Sequence, residues 1–465
     1  MAVDQAALGR PREPMRRSRP AGFGWADLLG PIGILSTVFV GCIFVLDQGV
    51  ISLVSWPSGV GSWGLLTGLV SWHLMVLQVM MLARIPWVER AWGHDLLTHR
   101  HRWVGFVSFW LMIAHVVAYM IERSMRGTPV LTAWWQLFVL DSWMLWATAG
   151  TVLIIVVVVL SLRAARRRMR YEPWHLLHLY AYLGMALALP HELADGSDFH
   201  TTWAQAYWWT WYLGSLAAIL AFRIGLPIWR SVRHRLRVAA VDVEAPGVVS
   251  VHVTGRHLHR MRTRSGQFFI WRFRDGPGWT RGNPYTISAA PTNDRLRVTI
   301  QAVGDGSERA ARLRPGTPVY IEGPYGTMTA ERRRHPHALF VAAGVGITPI
   351  RALLEDMPYA PGEATLIYRY SDQQHAIFLP ELDELAARRG VIVHYLPGAR
   401  RGDGSWQAAG VGSHDDATAL RRLVPQIADA DVFVCGPPRW ITSVKAAARQ
   451  SGADRADLHS EDFAW

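Results

Sequence analysis

Four histidines in two apolar segments have the residue type and the spacing to hold iron. His101 and His115 lie in one segment, and His178 and His191 lie in another. At 1.5 Å per residue, these separations of 14 and 13 residues correspond to about 21 and 20 Å along a helix axis. Ionisable side chains within a membrane-spanning helix are expected to be functional. The spacing therefore predicts two levels, at each of which two imidazoles clamp one haem iron.

Two alternatives stay open at this point. His175 competes with His178, although its 16-residue separation from His191 gives about 24 Å, a poorer match. At about 100° per residue, 13 residues also turn the second ligand about 140° away from its partner's face. Pro190 precedes His191 and can distort the helix there. His73, which has no matching histidine, is interpreted as a packing residue or as a group behind a ligand.

The elements that must position these histidines are apolar stretches long enough to span a bilayer. Arginines cluster before the first stretch and after the second, fourth and sixth, so the positive-inside rule predicts cytoplasmic termini in a multi-pass cell-membrane protein. No small-residue cleavage site follows the first stretch, which is therefore interpreted as a retained helix. The six stretches are 23–46, 63–83, 103–121, 142–162, 172–191 and 204–222.

Composition separates the chain into two halves. Half of the 465 residues are hydrophobic, and 18 of the 23 tryptophans precede residue 230. The net charge of +12 comes almost entirely from arginine, since Lys445 is the only lysine, and the arginines flank apolar segments, which argues against nucleic-acid binding. Two cysteines, Cys42 and Cys435, are too few for a disulfide framework or a four-cysteine zinc site.

From about residue 235 the pattern changes to short strands punctuated by Gly and Pro. The runs 248–253, 267–273 and 296–302 predict an antiparallel β-barrel. After residue 335, strands and helices alternate, which predicts a parallel sheet with crossover helices. These strands and helices are expected at 338–342, 350–357, 365–370, 379–388, 391–395 and 431–435.

A glycine-rich turn follows the first strand of this predicted sheet. Gly344 and Gly346 would let the backbone approach a pyrophosphate, and Thr348 and Pro349 open the helix whose N-terminus favours an anion. Cys435 and Gly436 follow a later strand, so the same sheet edge would carry a thiol and a second tight turn. Together the two turns predict a nucleotide site.

These features resemble the ferric reductase and NADPH oxidase superfamily, in which a six-helix haem domain is fused to a ferredoxin-reductase-type module. The resemblance covers about residues 25–465 and includes Tyr171-Glu172 upstream of His178. It implies an oxidoreductase with FAD, two b-type haems and NAD(P)H. The implied domains are a basic cytoplasmic tail (1–22), a transmembrane haem domain (23–225), an FAD-binding β-barrel (233–333) and an NAD(P)-binding α/β domain (335–465).

The resemblance also implies site residues in the flavin module. Asn283-Pro284-Tyr285-Thr286-Ile287-Ser288 is similar to the flavin signature, so that Tyr285 would stack on the isoalloxazine and Thr286 would bond its N5 edge. The segment from Gly304 to Ser307 corresponds to the pyrophosphate loop, and Glu322-Gly323-Pro324-Tyr325-Gly326 to the turn that ends the barrel. In the tail, Phe463 would cover the other flavin face, with Trp465 as its rival. Cys435 would stand beside the place where NAD(P)H gives its hydride to FAD.

Two positions depart from the superfamily's pattern. Asn283 stands where the soluble reductases have an arginine and the oxidases a histidine, and Arg281 is the candidate replacement for that charge. Tyr119 stands four residues after His115, where the oxidases usually place another histidine, which disfavours a dedicated oxygen site. Arg369, with Arg400 and Arg401, favours a 2′-phosphate and hence NADPH.

Three functions follow as expectations from these residues. Reduction of ferric chelates on the outer face ranks first, since it needs only an exposed haem edge, and production of superoxide from O2 ranks second. The third is donation of electrons to another membrane or periplasmic protein. Grouped with it is the alternative that the helix bundle has lost its haem and serves another role. Oligomeric state is left open.

Overall fold

The computed structural model describes residues 25–46, 55–136, 138, 142–162, 165, 171–195, 201–410 and 415–461. The chain forms two compact units. A helical unit contains Leu28–Val88 and Leu96–Ile224, and a second unit contains Gly225–Ala464 together with Glu89–Asp95. The assignment of Glu89–Asp95 to the second unit is not anticipated by the predicted domain boundaries.

Long apolar helices build the helical unit. The third of them bends at Gly93, whose φ of +72° is readily adopted only by glycine. Pro190 lies inside the sixth helix and does not end it. The helices are α1 (Trp25–Leu46), α2 (Trp56–Met81), α3 (Pro86–Met125), α4 (Val130–Trp135), α5 (Ser142–Ser161), α6 (Tyr171–Asp195) and α7 (Thr202–Ala218), the last continued by a π-helix (Ile219–Gly225).

Five of the described helices are long and apolar enough to cross a membrane. Each overlaps one of the predicted stretches, and the remaining predicted stretch, 172–191, falls in α6, which is not among the five. We attribute the difference to the three histidines and two prolines of α6, which dilute its apolar residues. Within the described residues, each of the six predicted stretches therefore falls in a helix, but only five of these helices are candidate spans.

Helices α5 and α6 pack closely because glycines face each other. A Cβ atom on Gly150 would lie 2.5 Å from the carbonyl oxygen of Gly184, and one on Gly184 would lie 2.8 Å from Ile154 Cγ1. This approach fixes the height of α6 against α5, and with it the heights of the histidines that α6 carries.

The first half of the second unit consists of six antiparallel strands after a short helix, α8 (Leu226–His234). They form two three-stranded sheets, β1-β2-β5 and β4-β3-β6, that share one apolar core and meet at isolated bridges. The antiparallel strands were predicted, but the described strands form two sheets rather than one continuous barrel. The strands are β1 (Arg237–Ala245), β2 (Val248–Thr254), β3 (Phe268–Phe273), β4 (Asn283–Thr286), β5 (Arg295–Gln301) and β6 (Val319–Tyr325), with helix α9 (Asp305–Glu308) between β5 and β6.

The second half is a five-stranded parallel sheet of order β11-β10-β7-β8-β9. Its central strands are mostly apolar and almost entirely buried, as expected for a sheet covered on both faces. The strands are β7 (His337–Ala343), β8 (Ala364–Tyr370), β9 (Ile392–Pro397), β10 (Ala430–Cys435) and β11 (Leu458–Ser460), and the helices are α10 (Ile347–Asp356), α11 (Leu379–Arg389), α12 (Asp416–Leu423) and α13 (Pro438–Gln450).

Candidate functional site

The structure brings one predicted histidine pair together in the helical unit. The ring centroids of His101 on α3 and His178 on α6 lie 6.0 Å apart, with 73° between the ring planes. Two metal–imidazole bonds of about 2 Å each, plus the half-widths of the two rings, account for a separation of this size. His101 Nδ1 is buried and has no hydrogen-bond partner among the described residues. The pair therefore fits a single iron between two imidazoles.

A hydrogen bond from α5 sets the tautomer of His178. The Ser161 hydroxyl donates to the carbonyl of Val157 at 2.7 Å, and its oxygen lies 3.1 Å from His178 Nδ1. Because the hydroxyl proton is already used, Nδ1–H must be the donor in the second contact. The lone pair of neutral His178 is then on Nε2, as required of a ligand whose other nitrogen is hydrogen-bonded.

Replacing Ser161 tests this arrangement. In Ser161→Ala, His178 loses the acceptor that orients its ring, and we expect affinity for a haem held by His101 and His178 to fall about 10- to 100-fold. The measurement is haem content together with the midpoint potentials, of which one should shift and the other should stay. Thr148→Ala is the matched control, since Thr148 makes the same i to i−4 bond on α5, to Met144. Equal potentials in wild type and Ser161→Ala would contradict the assigned hydrogen bond.

The other pair is built around His115. His115 Nδ1 lies 2.8 Å from the carbonyl oxygen of Gly64, which can only accept, so the lone pair is again on Nε2. Gly68 gives the ring its space, since a Cβ there would lie 2.5 Å from His115 Nδ1. His191 is half-buried and close enough to His115 to interact electrostatically. Tyr119 packs edge-on against His115, with ring centroids 5.1 Å apart.

His73 and His175 have different surroundings. His73 is fully buried, and its nitrogens contact the hydroxyls of Ser36 (3.1 Å) and Tyr207 (3.3 Å). Both of its nitrogens are thus engaged within the helix core. His175 is half-buried and packs near Trp174, whereas His178 forms the ring pair with His101. The geometry favours His178 as the ligand.

In the second unit, β4 carries the candidate flavin segment. Thr286 is buried, and its Oγ1 has no hydrogen-bond partner among the described residues. Tyr285 is half-buried, and burial raises the pKa of its phenol to about 12, so it is neutral near pH 7. Asn283 begins the strand, and Arg281 just before it is exposed. The orphaned Thr286 hydroxyl fits the predicted contact with a flavin.

Two predicted flavin ligands are placed differently. Ser288 is fully buried, and its hydroxyl oxygen accepts from Thr299 (2.7 Å) and Arg297 (3.2 Å). The Ser307 hydroxyl donates to the carbonyl of Gly304 at 2.8 Å and accepts from the Val303 amide at 2.9 Å. Both hydroxyls shape their own segments, so we assign them to positioning rather than to direct contact with a cofactor.

A buried ion cluster joins the flavin half of the second unit to its nucleotide half. Arg297 on β5 makes a two-bond contact with Glu381 on α11, at 2.8 and 3.0 Å, and also donates to the Ser288 carbonyl at 2.9 Å. Arg351 on α10 lies 2.6 Å from the same carboxylate. Burial alone would raise the pKa of Glu381, but the hydrogen bonds and charges of the two arginines outweigh it and lower that pKa. Glu381 is therefore ionised near pH 7.

Neutralising that carboxylate should loosen the two halves. Glu381→Gln leaves Arg297 and Arg351 buried without a charge partner in this contact, although Glu381 itself is about one third exposed. We expect the free energy of unfolding to fall by about 1–3 kcal/mol. The measurement is the temperature at which heating releases the flavin, which should be lower in the variant. Glu384→Gln on the same helix removes an exposed ion pair with Arg388 and should change stability by less than about 0.5 kcal/mol. Equal melting of the two variants would contradict a stabilising role for the cluster.

The two predicted turns meet at the carboxyl edge of the parallel sheet. A Cβ atom on Gly346 would lie 2.4 Å from the Cys435 carbonyl oxygen and 2.9 Å from the Gly436 amide nitrogen. Gly344 has φ of +54°, with open space around it, and Thr348 and Pro349 are buried in the first turn of α10. The two turns can approach each other this closely only because residue 346 is glycine.

Cys435 is fully buried at the end of β10. Burial raises the pKa of its thiol well above the usual range, and the charge of Glu461 acts in the same direction, so the thiol is neutral near pH 7. Glu461 accepts from the Thr327 amide at 2.9 Å and was missed by sequence reasoning, although it lies two residues before Phe463. Phe463 and Trp465 lie outside the described residues.

Arg369 lies at the end of β8, beside Arg400. Its Nε is buried and has no hydrogen-bond partner among the described residues, and burial together with the Arg400 charge lowers the pKa of its guanidinium. Arg401 instead pairs with Asp403 at 2.8 Å. Two neighbouring guanidiniums fit an anionic group, so Arg369 and Arg400 meet the expectation better than Arg401.

Two family models match the chain. One, described as ferric reductase like transmembrane component, matches residues 67–189, which include His101, His115 and His178 and end two residues before His191. The other, described as oxidoreductase NAD-binding domain, matches residues 340–446, which include Gly346 and Cys435.

Curated relatives cover different parts of the chain. The ferredoxin reductase component of 3-ketosteroid-9-alpha-monooxygenase from Mycolicibacterium smegmatis is 30% identical over 44% of this chain and 56% of its own length. Ferredoxin–NADP reductase B from Sorangium cellulosum is 31% identical over 40% of this chain and 80% of its own length. Dual oxidase 2 from Sus scrofa is 23% identical over 72% of this chain and 22% of its own length. The chain thus spans about half of the first relative and about a fifth of the last.

Solved structures are similar to about half of the chain. A ferredoxin NADP+ reductase from Neisseria gonorrhoeae with bound FAD and NADP has a TM-score of 0.39 at 18% identity, covering 49% of this chain and 97% of that one.

Proposed function

Because the chain belongs to the ferric reductase and NADPH oxidase superfamily, which joins a ferric-reductase-like transmembrane domain to a ferredoxin-reductase-type module, we propose that it carries electrons from NAD(P)H across a membrane to a ferric chelate. FAD and two b-type haems, when bound, supply the hydride-accepting and one-electron chemistry. The protein supplies ligation, orientation and burial.

The observation that carries this proposal is the pairing of His101 with His178. Two half-buried imidazoles face each other at 6.0 Å, and the Ser161 bond leaves the Nε2 lone pair of His178 available. His115 and His191 are the proposed ligands of the second haem. Both ligand positions of each iron would then be taken by protein, so the final acceptor reacts at a haem edge.

The second unit would hold the flavin and the nucleotide side by side. Tyr285 and Thr286 would contact the isoalloxazine, and the Gly344–Gly346 turn would receive the nucleotide pyrophosphate at the start of α10. The neutral Cys435 thiol would stand near the nicotinamide as a small uncharged group. Phe463, with Trp465 as the alternative, would cover the other flavin face, and Arg281 would contribute charge near Asn283.

We assign the nucleotide as NADPH. The neighbouring guanidiniums of Arg369 and Arg400 would meet its 2′-phosphate. By the positive-inside rule, the arginine-rich loops favour a cytoplasmic position for this unit.

A ferric chelate is favoured as acceptor because the residue four positions after His115 is a tyrosine and not a second histidine. Tyr119 packs on His115 at the position where the resemblance expects one. The test is NADPH-driven reduction of a ferric chelate by the purified, FAD-supplied protein, with air and without oxygen. A rate that survives removal of oxygen supports direct reduction. A rate that needs oxygen and is suppressed by superoxide dismutase would replace the ferric chelate with O2 as acceptor.

A further inference from the structure

Helix α8 has an apolar face that is left exposed in the second unit. Ile228, Trp229 and Val232 are 58%, 54% and 63% exposed, whereas Ser231 and His234 on the opposite face are buried. Ser231 bonds to the Ile321 backbone of β6, which fixes this orientation. The exposed side chains are therefore presented outward by a helix whose other face is firmly packed.

A basic loop lies beside the end of this helix. It consists of residues 256–262 and is anchored by Leu258 and Met261, which are 2% and 5% exposed. No Asp or Glu occurs between residues 245 and 274. Left-handed residues at both ends, His257 (φ 55°) and Arg262 (φ 53°), turn the chain around the anchored segment. The exposed side chains of this basic loop are Arg256, His257, His259, Arg260 and Arg262.

Two hydrogen bonds hold the basic loop to α8. The Arg256 amide donates to the His234 carbonyl at 2.7 Å, and His234 Nδ1 donates to the Arg256 carbonyl at 2.8 Å. At the same helix end, the guanidinium of Arg233 lies 5.1 Å from the centre of the Trp229 ring. The exposed apolar face and the positive charges thus belong to one continuous stretch of surface.

We propose that this surface, α8 with the basic loop, binds the anionic phospholipid headgroups of the bilayer. Exposed Trp and aliphatic side chains next to arginines are typical of helices that lie in a membrane interface. Along the chain, α8 is the C-terminal part of the last candidate span, Thr202–His234, and its basic residues Arg230 and Arg233 are of the kind that reach for the headgroups at a helix end. Each arginine near an anionic surface raises the binding affinity about fivefold, so several exposed arginines in the basic loop raise it further. Arg256, Arg260 and Arg262 are exposed, and the segment 245–274 that contains them has no Asp or Glu.

The test is hydrogen–deuterium exchange of the full-length protein in nanodiscs. One set contains phosphatidylcholine alone, and the other contains three parts phosphatidylcholine to one part phosphatidylglycerol. We expect peptides from 226–235 and 256–264 to exchange at least about fivefold more slowly in the anionic discs, and about 0.5 M salt to remove the difference. The readout is independent of electron transfer, so it is unaffected if the proposed acceptor or haem ligands are wrong.

Variants locate the effect. Arg256→Gln/Arg260→Gln/Arg262→Gln should lose the lipid-dependent protection, and Arg312→Gln/Arg314→Gln, which changes exposed arginines elsewhere in the same half, should keep it. Equal exchange in the two disc types would overturn the proposal, as would protection that persists in the triple variant. Protection produced in phosphatidylcholine discs by inorganic phosphate alone would assign the loop to a free anion instead.

Discussion

His178→Ala is expected to abolish electron transfer beyond the flavin while leaving reduction of the flavin by NADPH intact. Removing a hydrogen bond behind a ligand costs about 10- to 100-fold in metal affinity, so losing the ligand itself should cost more. We expect loss of one haem and at least about a 100-fold slower reduction of the acceptor. The measurements are haem content, the low-spin bis-imidazole spectrum and stopped-flow reduction of flavin and haem.

His175→Ala is the matched control, since it removes an imidazole from the same helix one turn earlier. It should keep both haems, because His175 is not part of the ring pair with His101. Full haem content in His178→Ala combined with loss in His175→Ala would exchange the two assignments. Retention in both would refute haem ligation by this turn of α6.

Gly346→Ala should have an effect of similar size at the other end of the proposed path. The added Cβ would lie 2.4 Å from the carbonyl oxygen and 2.6 Å from the carbonyl carbon of Cys435. Both are backbone atoms, so relief requires the start of α10 and the end of β10 to move apart. A displacement of about 1 Å in a reacting geometry can cost about 100-fold in rate. We expect that loss in flavin reduction by NADPH, measured by stopped flow.

Haem and flavin content should be unchanged in this variant, which separates a nucleotide defect from misfolding. Gly402→Ala is the control, because nothing lies within 4 Å of a Cβ there and its φ is outside the left-handed region. Normal flavin reduction by Gly346→Ala would contradict the close approach of the two turns.

Residue type and spacing predicted the parts of the site that depend on regular geometry. The structure brings His101 close to His178, and the Gly344–Gly346 turn close to Cys435, as expected from the sequence. The number of spans was harder to predict, because the histidines that make α6 a candidate haem-binding helix also lower its mean hydropathy.

Other parts depend on packing between distant segments and had no sequence signal. Ser161 reaches His178 only because Gly150 and Gly184 let α5 and α6 approach. Arg297 and Glu381 are 84 residues apart, and their contact appears only once the two halves of the unit meet. Ser288 matches a flavin motif by position, but its buried hydroxyl accepts hydrogen bonds from Arg297 and Thr299 on β5.

Electrons from NADPH should cross the membrane through this chain. The most direct test reconstitutes the protein with FAD and haem in sealed liposomes that contain ferricyanide, and adds NADPH, which does not cross the bilayer, to the outside. With an ionophore to balance charge, the account predicts that two lumenal ferricyanides are reduced for each NADPH consumed, and that His178→Ala stops this reduction. NADPH consumption without any lumenal reduction by the haem-loaded wild type would contradict it.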